Sequence, residues 1–355
     1  MPVRAASSRL HRLLDALAPG PVLILMHDNP DPDCFASASG LQYLIERTGG
    51  LKSTIAYGGL IGRASNKALI KSLDLQLRHV DQIDFSRFPR IATVDTQPRG
   101  GNNSLPGDRE ADVVLDHHAM RKASRNVTHA DIRTQYGATC TMVVEYLTGA
   151  ELEIPPRLAT LMFYAIRTET QELGREASKA DVEAYMELFP LADLELVSGI
   201  EHARIPVEYF EVWHRGICNA QLHGNIATCT LGALNNPDMV PEIADMLLRL
   251  ENVEWSMVCG YHGGNVLFSI RTNDPKANAG AIALRVVGRK GTAGGHDTMA
   301  GGRVPVHLPG ANPGALQAEL IQRLLKVLEI KALPRPLLTD HAAAAHSAHR
   351  EHHAR

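Results

Sequence analysis

The apolar run Val22-Leu23-Ile24-Leu25-Met26 is followed at once by His27-Asp28-Asn29-Pro30-Asp31-Pro32-Asp33. Five apolar residues bounded by Pro21 and a polar cluster read as a buried strand. Small, helix-compatible residues come next, Cys34-Phe35-Ala36-Ser37-Ala38-Ser39-Gly40-Leu41. The segment is therefore strand, acidic loop, helix, and α/β proteins place their chemistry at the carboxyl ends of strands. The loop offers one imidazole and three carboxylates within seven residues. In an extended loop Asp31 and Asp33 share a side, so both can face one cation. Oxygen ligands with one His suit Mn2+ or Mg2+ better than a closed structural zinc site. The plainer alternative is a capped turn, with Asp33 as N-cap and the other acids solvated.

The chain of 355 residues, 45% hydrophobic, is long enough for two domains, each with its own core. Its formal net charge of -3 lacks the basic excess of a protein that grips long nucleic acid by its backbone. A small or short anionic ligand, bridged by metals, fits better, and no long-duplex binding is expected. The cysteines (Cys34, Cys140, Cys218, Cys229, Cys259) are scattered, odd in number and without a C-x-x-C pair. That pattern predicts a reducing compartment and no structural zinc. No apolar leader core precedes Asp15, and no segment reaches the roughly 18 apolar residues of a membrane span. The expectation is a cytoplasmic protein with no membrane partner.

Outward from the first strand, residues 9–18 read as an amphipathic helix, and the helix from Cys34 runs to Arg47 with Gly49-Gly50 as its stop. Strands are expected at 53–57 and 90–96, the latter ending in Asp95-Thr96, and at 111–115, ending in Asp116-His117-His118. Helices follow at 139–147 and 157–168, and another, capped by Ser178 or Asp181, runs to Leu188. Strands alternating with helices imply a doubly wound, mostly parallel sheet, and so the α/β class. The pattern breaks at Pro190. The division expected is a first domain over 1–190, a linker over 191–212 and a second, smaller α/β domain over 213–332. In the second domain strands are expected at 226–231, 255–261, 266–272 and 304–308, and helices at 239–250, 278–287 and 313–328. The strands 255–261 and 266–272 are turned by His262-Gly263-Gly264-Asn265, and 291–302 is a glycine-dense loop. Residues 333–355 read as a His- and Ala-rich disordered tail.

Three acidic strand ends now stand together: His27 with Asp31 and Asp33, then Asp95, then Asp116-His117-His118. Neighbouring parallel strands end on one edge of a sheet, so these side chains can converge. Each alone has a structural explanation as a cap or a polar turn. Three in succession point to a site with enough ligands for two divalent ions roughly 3.5–4 Å apart.

The motifs His-x-x-x-Asp-x-Asp, strand-end Asp and Asp-His-His, in this order, resemble the DHH phosphoesterase superfamily. A fourth family motif, Gly-Ile-x-Thr-Asp-Thr, has its counterpart in Ala165-Ile166-Arg167-Thr168-Glu169-Thr170, where Ala replaces Gly and Glu169 stands in the Asp position. The resemblance implies that His27, Asp31 and Asp95 hold one metal. Asp33, Asp95, His117 and Glu169 would hold the other, with Asp95 bridging. It implies that His118 faces the phosphate or assists proton transfer, and that Asp116 orients an imidazole. The stretch Gly294-Gly295-His296-Asp297-Thr298-Met299-Ala300-Gly301-Gly302 resembles the glycine-rich loop of the DHH-associated C-terminal domain. Glycines let backbone N–H groups approach an anion closely. Substrate contacts are thus expected from Gly294, Gly295, His296, Gly301, Gly302 and Arg271.

The resemblance implies a hydrolase with two divalent ions, Mn2+ foremost and Mg2+ or Co2+ as alternatives. Its branch, oligoribonucleases and phosphoadenosine-phosphate phosphatases, implies short oligonucleotides, nucleoside bisphosphates or related small nucleotides as substrates, and allows a homodimer. Two rival readings are an inorganic pyrophosphatase, which shares the N-terminal motifs, and a nucleotide-binding regulatory protein. The glycine-rich loop speaks against the first, and only Glu169 supports the second.

Overall fold

The computed structural model describes residues 3–295, 297–306 and 312–338. The chain divides into two units, Met1–Arg204 and Ile205–Arg355. The first runs α1 (Val3–Leu17), β1 (Val22–Leu25), α2 (Pro32–Gly49), β2 (Ser53–Tyr57), α3 (Ala64–Ser72), β3 (Leu77–His79), β4 (Arg90–Val94), β5 (Val113–Asp116), β6 (His129–Ile132), α4 (Thr139–Gly149), α5 (Pro156–Glu169), α6 (Lys179–Leu188) and α7 (Leu194–Glu201). Its strands lie in the order β3-β2-β1-β4-β5-β6, and every pair is parallel. This is the order of a doubly wound sheet, and the direction of winding reverses between β1 and β4.

Side chains alternate along β1, so Val22 and Ile24 join the large core formed with α2, α4 and α5. Leu23 and Leu25 face the other way and meet Ala56, Ile91, Phe85 and Phe88. That second layer consists of the short 3-10 turns Val80–Gln82 and Phe85–Arg87 and the loop around Leu105. β3 and β6 went unforeseen because they are short, carry polar residues and lie at the sheet edges, where no apolar run is needed.

Three local expectations change. Helix α2 starts at Pro32, and its N-cap is Asp31, not Asp33: the Asp31 carboxylate accepts from Cys34 N at 3.1 Å. Proline at the first helical position explains the earlier start, since its missing N–H would have had no partner there. Asp31 and Asp33 therefore flank a helix start and do not share an extended loop. At α6 both candidate caps are used, because Ser178 caps and Asp181 closes a capping box. The stretch 191–212, expected as a linker, is helical over much of its length. It contains α7, capped by Asp193, and the first turns of α8, entered through Pro206.

The second unit runs α8 (Val207–Asn219), β7 (Gln221–His223), β8 (Ile226–Ala233), α9 (Met239–Leu248), β9 (Trp255–His262), β10 (Asn265–Thr272), α10 (Ala279–Val287), β11 (Thr292–Gly295), β12 (Met299–Pro305), α11 (Pro313–Val327) and β13 (Arg335–Pro336). The strand order is β11-β12-β10-β9-β8-β7-β13, antiparallel except for β8 with β9. Alternate residues of β9 face opposite cores: Met257 and Cys259 pack with α10 and α11, and Val258 packs with α9. The glycine-dense stretch is not a loop. Thr292–Gly295 and Met299–Pro305 pair antiparallel, with Gly294 opposite Gly301. Gly302 packs under an aromatic ring: an added Cβ would lie 2.5 Å from Phe268 Cζ. The stretch 333–338, read as tail, includes β13, which pairs with β7. The remaining tail residues, 339–355, and His296 lie outside the described residues. No described helix is long and apolar enough to cross a membrane.

Candidate metal centre

The three acidic strand ends do converge, at the carboxyl edge of β1, β4 and β5, beside the point where the winding reverses. His27 follows β1, Asp95 follows β4, and Asp116 closes β5 before His117 and His118. Asp95 adopts a left-handed backbone conformation, φ 55°, which aspartate tolerates better than most residues. This turn ends the strand and brings the carboxylate between the other two clusters. Its Oδ2 lies 3.5 Å from His27 Nε2, and its Oδ1 lies 3.5 Å from His117 Nε2 and 3.7 Å from His118 Nδ1. His27 Nε2 is also 3.6 Å from Asp31 Oδ2. Two groups of ligand atoms result, each within 4.8 Å: His27, Asp31, Cys34 and Asp95, and then Asp95, His117 and His118.

Backbone carbonyls orient the imidazoles. The Asp28 carbonyl faces His27 Nδ1 at 2.9 Å, and the Tyr136 carbonyl faces His117 Nδ1 at 3.0 Å. A carbonyl only accepts, so each Nδ1 donates and each Nε2 is turned toward the carboxylates. Fixing the remote nitrogen in this way is how proteins orient metal-binding histidines. His118 differs, because its Nδ1 donates to Asp116 Oδ1 at 2.7 Å. Asp116 is in turn held by Gln97, whose Nε2 donates to Oδ2 at 2.6 Å. Thr139 Oγ1 donates to Asp95 Oδ1 at 2.9 Å. Sequence reasoning missed Cys34, Gln97 and Thr139, because none belongs to an acid–histidine motif.

Asp33 and Glu169 belong to neither close group. Both oxygens of Asp33 accept from the start of α4, from Thr139 N at 2.8 Å and from Cys140 N at 2.7 Å. The α4 N-cap, Ala138, has no capping side chain, and Asp33 serves from 106 residues away. Glu169 is the last residue of α5, and its carbonyl accepts from Arg175 Nη2 at 2.9 Å.

The electrostatics suit a cation. Burial, then the charge of Asp95, raises the Asp33 carboxyl, and burial, then Asp31, pushes Glu169 up to about 7. Burial pulls His117 down, but the carboxylates of Asp95, Asp33, Glu169 and Asp116 outweigh it and hold it at about 9. Burial opposes ionisation of Asp116, yet His118 holds it at about 2. Acids crowded until the carboxyls of Asp33 and Glu169 are raised, beside imidazoles aimed by backbone carbonyls, match the donor set of a divalent metal site.

In the second unit, Arg271 is 9% exposed and already engaged. Its Nε donates to Asp245 Oδ1 at 2.6 Å and its Nη1 to Ser269 Oγ at 2.6 Å. Gly294 and Gly295 lie on the edge strand β11, and Gly301 and Gly302 lie on β12.

Fold and cluster define a doubly wound α/β protein with an aspartate–histidine centre at the point where the winding reverses, followed by a second, mixed-sheet unit. Family comparison agrees: residues 21–166 match the DHH family, N-terminal domain, and residues 223–330 match the DHHA1 domain. The chain belongs to the DHH phosphoesterase superfamily. It is 37% identical over 288 residues to an uncharacterized protein of Methanocaldococcus jannaschii, covering 81% of this chain and 58% of that one. It is 25% identical over 155 residues to the bifunctional oligoribonuclease and PAP phosphatase NrnA of Mycoplasma genitalium, covering 42% of this chain and 46% of that one. The chain thus spans about half the length of the curated relatives it matches. In fold it is similar to an exopolyphosphatase-related protein of Bacteroides fragilis, with TM-score 0.67, 13% identity and coverage of 90% and 96%. It is also similar to RecJ of Thermus thermophilus in complex with Mn2+, with TM-score 0.52, 13% identity and coverage of 94% and 56%.

Proposed function

We propose that this chain is a phosphoesterase using two divalent ions, Mn2+ foremost, to hydrolyse short oligonucleotides, nucleoside bisphosphates or related small nucleotides. The observation that carries the reading is the position of Asp95. One of its oxygens faces His27, and the other faces His117 and His118. A carboxylate with a separate ligand group at each oxygen is arranged to bridge two ions. His27, Asp31 and Asp95 would hold one ion, and Asp95 with His117 the other. Asp33 and Glu169 would add charge or ligation at the second. Bound divalent ions supply Lewis acidity at phosphoryl oxygens and lower the pKa of water. Asp116 fixes the His118 ring, whose side chain is 35% exposed, so that Nε2 can hand a proton to the leaving oxygen. Gly294, Gly295, His296, Gly301 and Gly302, in the second unit, would supply substrate contacts. Arg271, held by Asp245 Oδ1 at 2.6 Å, would supply a further substrate contact. The relative named as an oligoribonuclease and PAP phosphatase supports the substrate class. Five unpaired cysteines accord with a reducing, cytoplasmic setting.

Asp95→Asn tests the reading. Metal content, measured by elemental analysis after Mn2+ loading and desalting, should fall from two ions toward one or none. Hydrolysis of bis-p-nitrophenyl phosphate should disappear. Near-normal turnover with two ions retained would end the two-metal proposal.

A further inference from the structure

The turn after Asp116-His117-His118 carries Arg121, Lys122 and Arg125, all exposed. Lys122–Asn126 is a 3-10 helix, in which residues three apart eclipse, so Lys122 and Arg125 share a face. Gln97, only 2% exposed, ties this turn to the metal centre. Its Nε2 donates to Asp116 Oδ2 at 2.6 Å and to Ala119 O at 3.1 Å. Its Oε1 accepts from Arg121 N at 2.6 Å and from Ser124 Oγ at 2.8 Å. One amide therefore holds both the carboxylate that orients His118 and the backbone that bears the cations. The Arg121 side chain lies over the loop after Asp95, since a Cβ added at Gly100 would come within 3.5 Å of Arg121 Nε.

Among the described residues, no carboxylate forms an ion pair with Arg121, Lys122 or Arg125. Fixed cations beside an acidic centre, with no acid neutralising them, suit an anion that reaches from one to the other. Arg121 is three residues from His118, so at most ~11 Å separates their Cα atoms. Between them Met120 is 51% exposed. A thioether packs well against a ring, and a bare phosphate chain has none to offer.

We propose that residues 120–125 form a ledge for the backbone phosphates and a base of a single-stranded oligonucleotide whose reacting phosphoryl group lies at the metal centre. The proposal rests on the phosphoesterase reading above and narrows its substrate from mononucleotides to chains with phosphates beyond the reacting one.

The test is binding, read by fluorescence anisotropy of a fluorescein-labelled, hydrolysis-resistant 2′-O-methyl pentaribonucleotide on the Mn2+-loaded full chain. Single strands lose affinity with a log–log salt slope of about -0.7 per neutralised phosphate. Replacing Arg121, Lys122 and Arg125 with Gln should therefore make the slope shallower by about 2 and weaken binding at low salt. A charge-matched variant with Arg47, Lys52 and Arg87 changed to Gln should retain the wild-type slope. An unchanged slope in the ledge variant, or an equal change in both variants, would overturn the proposal. Inorganic polyphosphate displacing the probe as well as unlabelled pentanucleotide does, at equal phosphate concentration, would overturn the oligonucleotide assignment. The phosphoesterase reading fails separately, if the wild-type chain shows no Mn2+-dependent hydrolysis of any phosphodiester.

Discussion

Glu169 is one of two residues, with Ala165, at which this chain departs from the motif it resembles, and its surroundings say what the departure can do. It ends α5, is partly buried and is held up at about 7 by burial and by Asp31. A carboxyl whose ionisation is opposed by burial and by neighbouring acids becomes a good ligand once a cation favours its charged form. Glu169→Gln should therefore lower Mn2+ affinity or turnover about 10–100-fold, the loss typical of groups supporting a metal site. Glu169→Asp, which restores the family's residue, should keep part of the activity. Metal titration with steady-state kinetics decides, and wild-type values for Glu169→Gln would remove Glu169 from the ligand set.

At the scale of elements, the His27–Asp33 loop is shaped by the end of β2. Asn29 N donates to the Gly58 carbonyl at 3.0 Å, and Leu60 N donates to Asn29 Oδ1 at 2.8 Å. Gly58 allows this approach because a Cβ there would lie 2.0 Å from Asp28 Oδ1 and 2.3 Å from Ser104 Oγ. Gly58→Ala must displace that network. It should cost about 1–3 kcal/mol, as overpacking usually does, and weaken Mn2+ binding by moving His27 and Asp31. Urea unfolding and metal titration read the two effects. If neither changes, the β2 contact does not set the loop.

At the scale of the whole molecule, the two tryptophans, Trp213 and Trp255, both lie in the second unit, so tryptophan fluorescence follows that unit's unfolding. His223 is buried there, with Nε2 3.0 Å from Thr228 Oγ1, and burial lowers its pKa below the ordinary 6.5. The unfolded chain takes up this proton first as pH falls. Stability from the neutral imidazole is therefore fully present above pH 6.5 and is lost as pH falls through the folded value. The fluorescence-detected urea midpoint should drop between pH 7.5 and pH 5, and the drop should be smaller in His223→Leu. Equal drops in both proteins would show that His223 does not titrate on unfolding.

The sequence by itself determined the strand–acid–helix grammar of the first unit, the strand-end placement of Asp95 and Asp116, and the His262–Asn265 hairpin. These are local properties, written in apolar runs, proline and glycine. The tertiary structure alone decided which acids meet. The order β3-β2-β1-β4-β5-β6 sets β1 beside β4 and β4 beside β5, so Asp95 faces histidines 68 and 22 residues away in sequence. The same folding turned Asp33 toward the start of α4, made Gln97 a clamp and paired the glycine-rich stretch into β11 and β12. Periodicity reports which side of an element is buried, not which distant element buries it, and those contacts follow from strand order.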